Sequence, residues 1–553
     1  MRSSAHPLPS ATTLLSSRQR ATTRTGVTPA GPMSERGIRR DATLRSAMTR
    51  IAVAAGTPLG ADAGGDVAGA GGNAVDAAVA ATFMTWVCEP GLTSMGSGGF
   101  CCVWPPDEAA VTIDGFTEMP GRSADPARFG SAKRITMPYG GQTDTIIGPG
   151  SVGTPGALAA IELAWRRWGR LPWDELIQPA IAVARAGFPL PVVSQRYFIA
   201  SGEAIYSETP GAQHLYLRAD GTRREAGELI PMPDLADALV HVAESGAEAL
   251  YRGDLGATIA QWITDHGGLL GRDDFQQYRA AALPCLETTT GRWRLATNPP
   301  PAVGGVVLIE LAALMGDRPR TKWTASDVAL FARVMELAFG DRSRLRADDD
   351  PHATAAEILD SAIEQRRRAL ASPSTSHTSA VDSDGLACSI TTSTGYGSGV
   401  VVPGTGIMLN NVLGEIELSP NGLHTTEPGR RLRSTMAPSV VRSDTGHVIA
   451  FGAAGADRIT SAMAQVWLNT ANLGMSLQQA VAHPRCHLEW IAGEPVVAHE
   501  PGVDVSAVPF ATRAFDEIYM YFGGVQAAER APSGELVAVA DPRRGGGSTV
   551  SES

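Results

Sequence analysis

Residues 372–399, SPSTSHTSAVDSDGLACSITTSTGYGSG, constrain this chain more tightly than any other stretch. Two runs of period-2 alternation, SHTSAVD and LACSITTST, flank Ser383-Asp384-Gly385, whose glycine suits the left-handed position of a three-residue loop. The pattern predicts a β-hairpin with a countable register. Val381 faces Ala387, Ser379 faces Ser389, His377 faces Thr391 and Thr375 faces Ser393, unless a bulge at Gly385 shifts the pairing by one. One face then carries Thr375, His377, Ser379, Ser389, Thr391 and Ser393, a row that a purely structural strand has little reason to bury. Taken alone, the hairpin reads more readily as solvent-facing, because Ser and Thr are ordinary on exposed antiparallel strands.

Length bounds the rest. At 553 residues the chain exceeds the usual size of a single core, so two lobes or one elaborate two-layer domain are expected, and 43% hydrophobic residues suffice to fill them. The net charge of −11 argues against nonspecific nucleic-acid binding. Six cysteines (Cys88, Cys101, Cys102, Cys285, Cys388, Cys486) show neither a CxxC pair nor framework spacing and read as reduced core thiols, with no metal expected. No stretch reaches the roughly 18 apolar residues of a membrane span. The N-terminus is basic and Ser/Thr-rich without an apolar signal core, which points to the cytoplasm. Residues 1–47 are expected to be disordered, with Met33 or Met48 as alternative starts.

Along the chain, TRIAVAAGTPLG predicts a strand and a Gly-rich turn, and Asn73 to Cys88 a helix capped by Asn73. Gly96-Ser-Gly-Gly99 lacks the Gly-Lys-Ser/Thr ending of a phosphate loop and leads into a strand, Phe100 to Trp104. Helices are expected at Leu158 to Trp168, from Pro172 onward, within 232–265 and at Val306 to Leu314. A strand is expected near Leu286 to Leu295. Residues 345–373, charged and then Ser/Pro-rich, read as a mobile, cleavable segment. Strands follow at Gly406 to Asn410, Ser439 to Arg442, His447 to Gly452 and Val537 to Ala540, with helices at Thr460 to Leu473 and Ser476 to Ala482. Pattern alone supports an α+β fold.

An ordered set of motifs goes further. Upstream of the hairpin stand Gly71-Gly-Asn-Ala-Val-Asp-Ala-Ala78, Ser151-Val-Gly-Thr-Pro-Gly156, Asn298-Pro-Pro-Pro-Ala-Val-Gly-Gly305 and Phe339-Gly-Asp-Arg-Ser343. Downstream stand Tyr396-Gly-Ser-Gly399, Gly404-Thr-Gly-Ile-Met-Leu-Asn-Asn411, Arg433-Ser-Thr-Met-Ala-Pro438, Gly452-Ala-Ala-Gly-Ala456 and Asp541-Pro-Arg543. Each is weak; in this order, from about residue 50 to the end, they resemble the gamma-glutamyltranspeptidase family. The resemblance implies a four-layer αββα sandwich of the N-terminal nucleophile hydrolase type. It also implies a proenzyme that cuts Ser374–Thr375 into a large subunit, 48–374, and a small subunit, 375–553, held as a heterodimer without a cofactor. An N-terminal Thr carries its own base, since the α-amino group titrates near 7.7 to 8.0.

The resemblance also assigns roles. Thr375 matches the nucleophile, Ser393 a hydroxyl residue beside it, Gly455-Ala456 the oxyanion turn, and Ser434-Thr435 a hydroxyl pair on the substrate, whose alternative reading is a turn or helix cap. The recognition residues depart from the family. Where glutamyl-specific members carry Asp-Gly-Arg-Glu, this chain reads Asp114-Gly-Phe-Thr-Glu118, so Phe116 replaces the guanidinium that clamps the substrate carboxylate. Glu415 stands near a family Asp that meets the substrate amine, and Arg122 or Arg433 are the candidates for a relocated carboxylate site. The expected activity is therefore a small-molecule hydrolase with intact bond-breaking machinery and altered recognition. One branch of the resembled family uses the same Thr to hydrolyse a carbon–carbon bond in actinobacterial alkylproline antibiotic pathways. The alternatives are a gamma-glutamyl hydrolase or transferase acting on glutathione-type substrates, and an inactive scaffold.

Overall fold

The Ser/Thr-rich hairpin lies inside the molecule. The computed structural model describes residues 49–551 apart from 126, 128, 139–142, 318–319, 348–349, 362–374 and 420–421. In it Ser376–Asp382 and Ala387–Ser393 are antiparallel neighbours, and all residues of both strands are buried. The register is the expected one: Val381 opposite Ala387, Ser379 opposite Ser389, His377 opposite Thr391 and Ser376 opposite Thr392. Carried on by one pair, it sets Thr375 against Ser393. Gly385 takes a φ of 89°. Its N–H donates to the Asp382 carbonyl at 3.0 Å, while the N–H groups of Asp384 and Leu386 donate to Asp382 Oδ1 at 3.1 and 3.0 Å. The turn fixes the register because Asp382 binds both of its limbs.

The hairpin is the centre of a seven-stranded sheet ordered Gly547–Val550, Ile51–Ala55, Ser376–Asp382, Ala387–Ser393, Gly98–Trp104, Val111–Gly115, Ala281–Pro284. A six-stranded sheet runs Leu536–Val539, Gly524–Arg530, Val448–Ala454, Ser439–Ser443, Trp293–Thr297, Leu286–Thr290. Hydroxyls stitch the two together: Ser379 Oγ donates to the Gln526 carbonyl at 3.2 Å, and Ser389 Oγ donates to that of Phe451 at 3.0 Å. The solvent-facing alternative for the hairpin therefore fails. A second sheet covers the hydroxyl face, and the buried hydroxyls of Ser379 and Ser389 are tolerated because they find partners there.

The opposite face of the hairpin, with Ala380, Cys388 and Ile390, joins a core built with helices Pro58–Gly69 and Ala74–Cys88. All of Ala74–Cys88 is buried, consistent with its small residues. Asn73 caps it, accepting from the N–H groups of Val75 and Asp76 at 2.9 and 3.1 Å. A second core joins Leu295, Val441 and Phe451 of the six-stranded sheet to residues from helices Gly304–Met315, Ala325–Ala347 and Arg458–Ala471. The described residues thus form a mixed fold of helices and largely antiparallel sheets, as the α+β reading expected. No helix among them is long and apolar enough to cross a membrane.

Three expectations are corrected. The strand near 286–295 is two strands, Leu286–Thr290 and Trp293–Thr297, because Gly291 at φ 55° reverses the chain between them. Residues 406–410 form only isolated bridges, Val401 with Met408 and Gly96 with Leu409. Gly404 and Gly406 are left-handed there, and the Asn410 amide bonds the carbonyls of Gly96 and Gly153 at 2.9 and 3.0 Å in place of a ladder. Within the segment read as mobile, Pro351–Ser361 is helical. Its remainder over 362–374, with Ser374, and the extension expected over 1–47 lie outside the described residues.

Candidate active site

Thr375 sits just before the first hairpin strand and is 2% exposed. Arg544 Nη1 donates to its carbonyl at 3.0 Å. The stem of Arg544 lies on Gly524, where an added Cβ would come within 2.7 Å of it. Gly524 pairs with Ala454, the residue before Gly455. The expected oxyanion turn thus lies a few contacts from Thr375. Gly455 has φ 133° and abuts Gly523, where an added Cβ would fall 2.5 Å from the Gly523 Cα. Ala456 has φ 61°, a left-handed conformation that costs an L-residue about 1–2 kcal/mol. Its surroundings hold that strain, as turns at reactive sites often do. Both residues precede helix Arg458–Ala471, whose aligned peptides favour negative charge at this end.

Ser393 closes the other side. Its Oγ accepts from the Gly395 N–H at 3.0 Å. Gly395, at φ 65°, is packed so that an added Cβ would fall 2.9 Å from Glu415 Oε1, which brings Glu415 to this loop. Ser393 pairs with Gly98, and a Cβ on Gly98 would fall 2.9 Å from the Phe116 ring and 2.5 Å from Thr117 Oγ1. Thr117 in turn accepts the Leu432 N–H on its carbonyl at 2.9 Å, leading to Ser434. The structure therefore gathers Thr375, Ser393, Glu415, Phe116 and the 432–435 segment around one end of the hairpin. The Phe116 ring is itself buried, stacked on Phe100 with centroids 5.4 Å apart. Ser434 Oγ accepts from the Met436 N–H at 3.1 Å, a local turn bond, and its carbonyl accepts from the N–H groups of Val303 and Gly304 at the start of helix Gly304–Met315.

His377, two residues on, is 1% exposed. It bonds Thr391 Oγ1 through Nδ1 and Ser379 Oγ through Nε2, both at 2.8 Å. Burial pushes its pKa down to about 3, so it is a neutral structural linker.

Against this geometry the comparisons are decisive. The gamma-glutamyltranspeptidase family profile matches residues 60–551. The chain belongs to the gamma-glutamyltranspeptidase family. It is 27% identical over 523 residues to the glutathione hydrolase proenzyme of Escherichia coli K12, covering 87% of this chain and 88% of that one. It is 30% identical over 460 residues to the acylase ACY 1 proenzyme of Pseudomonas sp. strain V22, covering 78% and 81%. Among solved structures, cephalosporin acylase from Bacillus halodurans superposes with a TM-score of 0.76 at 26% identity, covering 94% of this chain and 98% of that one. A protein designated LmbA2991T421A shares the fold, with a TM-score of 0.73 at 22% identity over 91% and 98% of the two chains.

Within this gamma-glutamyltranspeptidase-family framework, three charged groups, Arg431, Glu89 and Arg544, escaped the motif reading. Arg431 donates to the Phe116 carbonyl at 2.7 Å and lies 3.3 Å from Asp114 and 3.5 Å from Glu118, with its guanidinium over the Tyr278 ring. Arg122, one candidate for a relocated carboxylate site, is paired with Glu118 at 2.9 Å and Asp274 at 3.8 Å. Glu89 ends the buried helix Ala74–Cys88, and burial raises its pKa to about 7, eased by the Ser376 hydroxyl and the Arg544 charge. A carboxylate closing a helix whose last turns are mostly apolar was the available signal for Glu89. Arg544 directly follows the Asp541-Pro-Arg543 motif.

Proposed function

We propose that the chain is a self-processing hydrolase that attacks a substrate carbonyl with Thr375 and acts on a molecule other than glutathione, in specialised metabolism of the antibiotic type. The four-layer αββα sandwich, with subunits 48–374 and 375–553 paired as a heterodimer, belongs to the same reading. The Thr375 hydroxyl adds to the Ser374 carbonyl, the peptide C–N bond breaks as the proton passes to nitrogen and frees the Thr375 amine, and water hydrolyses the resulting ester to release the Ser374 carboxylate and the Thr375 hydroxyl. In turnover that amine takes the hydroxyl proton, Oγ1 bonds the substrate carbonyl, and the N–H groups of Gly455 and Ala456 face the developing oxyanion. Ser393 orients the nucleophile, while Glu415, Ser434, Thr435 and Phe116 form the substrate side. The leaving group, an amine or a stabilised carbanion, takes the proton, and water then releases the acyl group. The six unpaired cysteines fit a reducing cytoplasm.

The observation that carries the altered specificity is the pairing beside Phe116. Both guanidiniums that lie against 114–118 already serve internal carboxylates, so a glutamyl carboxylate would be buried there without a partner, at a cost of several kcal/mol. The relationship to a glutathione hydrolase supports the rival gamma-glutamyl reading. One comparison separates them: kcat/KM for glutathione, a chromogenic gamma-glutamyl anilide and a conjugated keto acid, beside a denaturing gel of wild type and Thr375→Ala. Two pieces for wild type, one for the variant, and weak glutathione turnover are expected. Glutathione hydrolysis at about 10⁴ M⁻¹s⁻¹ or better would restore the gamma-glutamyl reading.

A further inference from the structure

A cavity of about 580 Å³ lies apart from the substrate side: none of Phe116, Glu415, Ser434 or Thr435 lines it. Its walls come from the start of helix Pro58–Gly69, from Cys88, from the start of helix Val192–Ile205 and from residues 542–545. Leu190, Val193 and Met520 make it largely apolar, and they belong to the core on the helix-covered face of the hairpin. The volume is within the range of about 300–1,000 Å³ that small molecules occupy. Three lining residues are arginines and none is acidic, in a chain of net charge −11. Arg543 is neutralised by Glu500 and Asp541. Arg196 and Arg544 form no ion pair among the described residues. Arg544 is 5% exposed; its Nη1 donates to the Thr375 carbonyl at 3.0 Å, while Nε and Nη2 have no hydrogen-bond partner among the described residues. Burial raises the carboxyl of Glu89, the residue after Cys88, to about 7, so it offsets that guanidinium only in part. Donors left unused on a buried cation are costly unless an anion takes them.

The same walls reach both strands at the reactive end of the hairpin. Arg544 holds the Thr375 carbonyl. On the other side, Tyr197 follows Arg196 in helix Val192–Ile205 and donates to the Tyr396 carbonyl at 2.6 Å, three residues after Ser393. Tyr206, which caps that helix, donates to the same carbonyl at 3.2 Å. We propose that this cavity is a second ligand site, for a monocarboxylate with an apolar chain, whose occupancy acts on Thr375 through Arg544 and on the loop after Ser393 through helix Val192–Ile205. The carboxylate takes the free donors of Arg544, the chain lies against Leu190, Val193 and Met520, and Arg196 adds charge on the cavity wall. A carboxylate on Arg544 competes with the Thr375 carbonyl for the guanidinium, so binding lowers turnover. The effect on turnover rests on Thr375 as nucleophile; the binding does not.

Calorimetric titration with octanoate, 1-octanol and acetate tests the site on wild type, Thr375→Ala, Arg196→Gln and Arg544→Met, with a thermal melt of each. Octanoate should bind wild type and Thr375→Ala alike, and about tenfold or more tighter than octanol, which has the chain without the charge, or acetate, which has the charge without the chain. Arg196→Gln should weaken octanoate by about fivefold or less and leave octanol unchanged. Arg544→Met should erase the preference for octanoate over octanol. With the best substrate among the three compared above, saturating octanoate should lower kcat about fivefold or more at unchanged KM. Octanoate that binds wild type no tighter than octanol overturns the inference, and this comparison decides even if Arg544→Met does not fold. Inhibition that raises KM alone overturns it as well, because the carboxylate would then sit in the substrate site. A chain without turnover removes the hydrolase reading, while the octanoate and octanol titrations still decide the cavity.

Discussion

Replacing Ser393 by Ala tests whether the face chosen by the hairpin register is the reactive one. The register sets Ser393 opposite Thr375, and its Oγ accepts the Gly395 N–H at 3.0 Å within a buried loop. Ala leaves that N–H without its acceptor, which costs about 1–3 kcal/mol. The loop also carries the left-handed Gly395 against Asn411 and Glu415, so relaxing it shifts the substrate side as well. If Ser393 orients the attacking group, its loss removes an additional factor of about 10 to 100 from maturation and from kcat. The two effects separate. The stability loss reads out in a thermal melt; the orientation loss reads out as a lower kcat at unchanged KM. Ser393→Thr keeps the hydroxyl and should recover most of the rate. A Ser393→Ala enzyme that is less stable but matures and turns over as wild type would refute the argument, because the hydroxyl would then be a loop anchor only.

Two further outcomes follow from buried charges. His377 is neutral in the fold with its pKa pushed down to about 3, whereas the unfolded chain titrates near 6.5, so the unfolded state binds more protons between these values. Stability from this residue is present above about pH 6.5 and should fall by up to about 1.4 kcal/mol per pH unit below it; denaturant titrations of wild type and His377→Asn should converge on acidification, and parallel curves would contradict the assignment. Arg431→Met strands Asp114, under a tenth exposed, and leaves Glu118 with Arg122 alone, and should cost about 3–5 kcal/mol in the same titration, partly restored by adding Asp114→Asn. An Arg431→Met chain as stable as wild type would show that the cluster relaxes without its cation.

The hairpin was legible because its information is local. A glycine at the turn and period-2 strands determine the pairing within about twenty residues, and a buried acceptor at Asp382 enforces it. The burial of the hydroxyl face was not legible there, since it depends on Phe451 and Gln526 arriving from a second sheet. The same reasoning accounts for 406–410. Its side-chain sequence is strand-like, but Asn410 finds its partners at Gly96 and Gly153, more than 250 positions away, and takes over the bonds a ladder would make. Ala456 is the mirror case: the sequence shows only an alanine where the resembled turn has glycine, and the structure shows that this alanine takes up a left-handed φ of 61°.

Recognition was the least legible because its charges come from distant segments. At Phe116 the sequence shows a guanidinium removed; the structure shows another delivered to the same wall by Arg431, 315 positions later, and already bound to the carbonyl of Phe116. That arrival could look like a rescue of carboxylate binding. The balance says otherwise. Asp114, Glu118 and Asp274 set three carboxyl groups against the two guanidiniums of Arg122 and Arg431, and each guanidinium lies within 4 Å of two of them. An incoming carboxylate would have to displace one of these, trading an internal ion pair for an external one while leaving the released carboxyl buried. A substrate that meets this wall with an apolar or neutral planar group avoids the exchange.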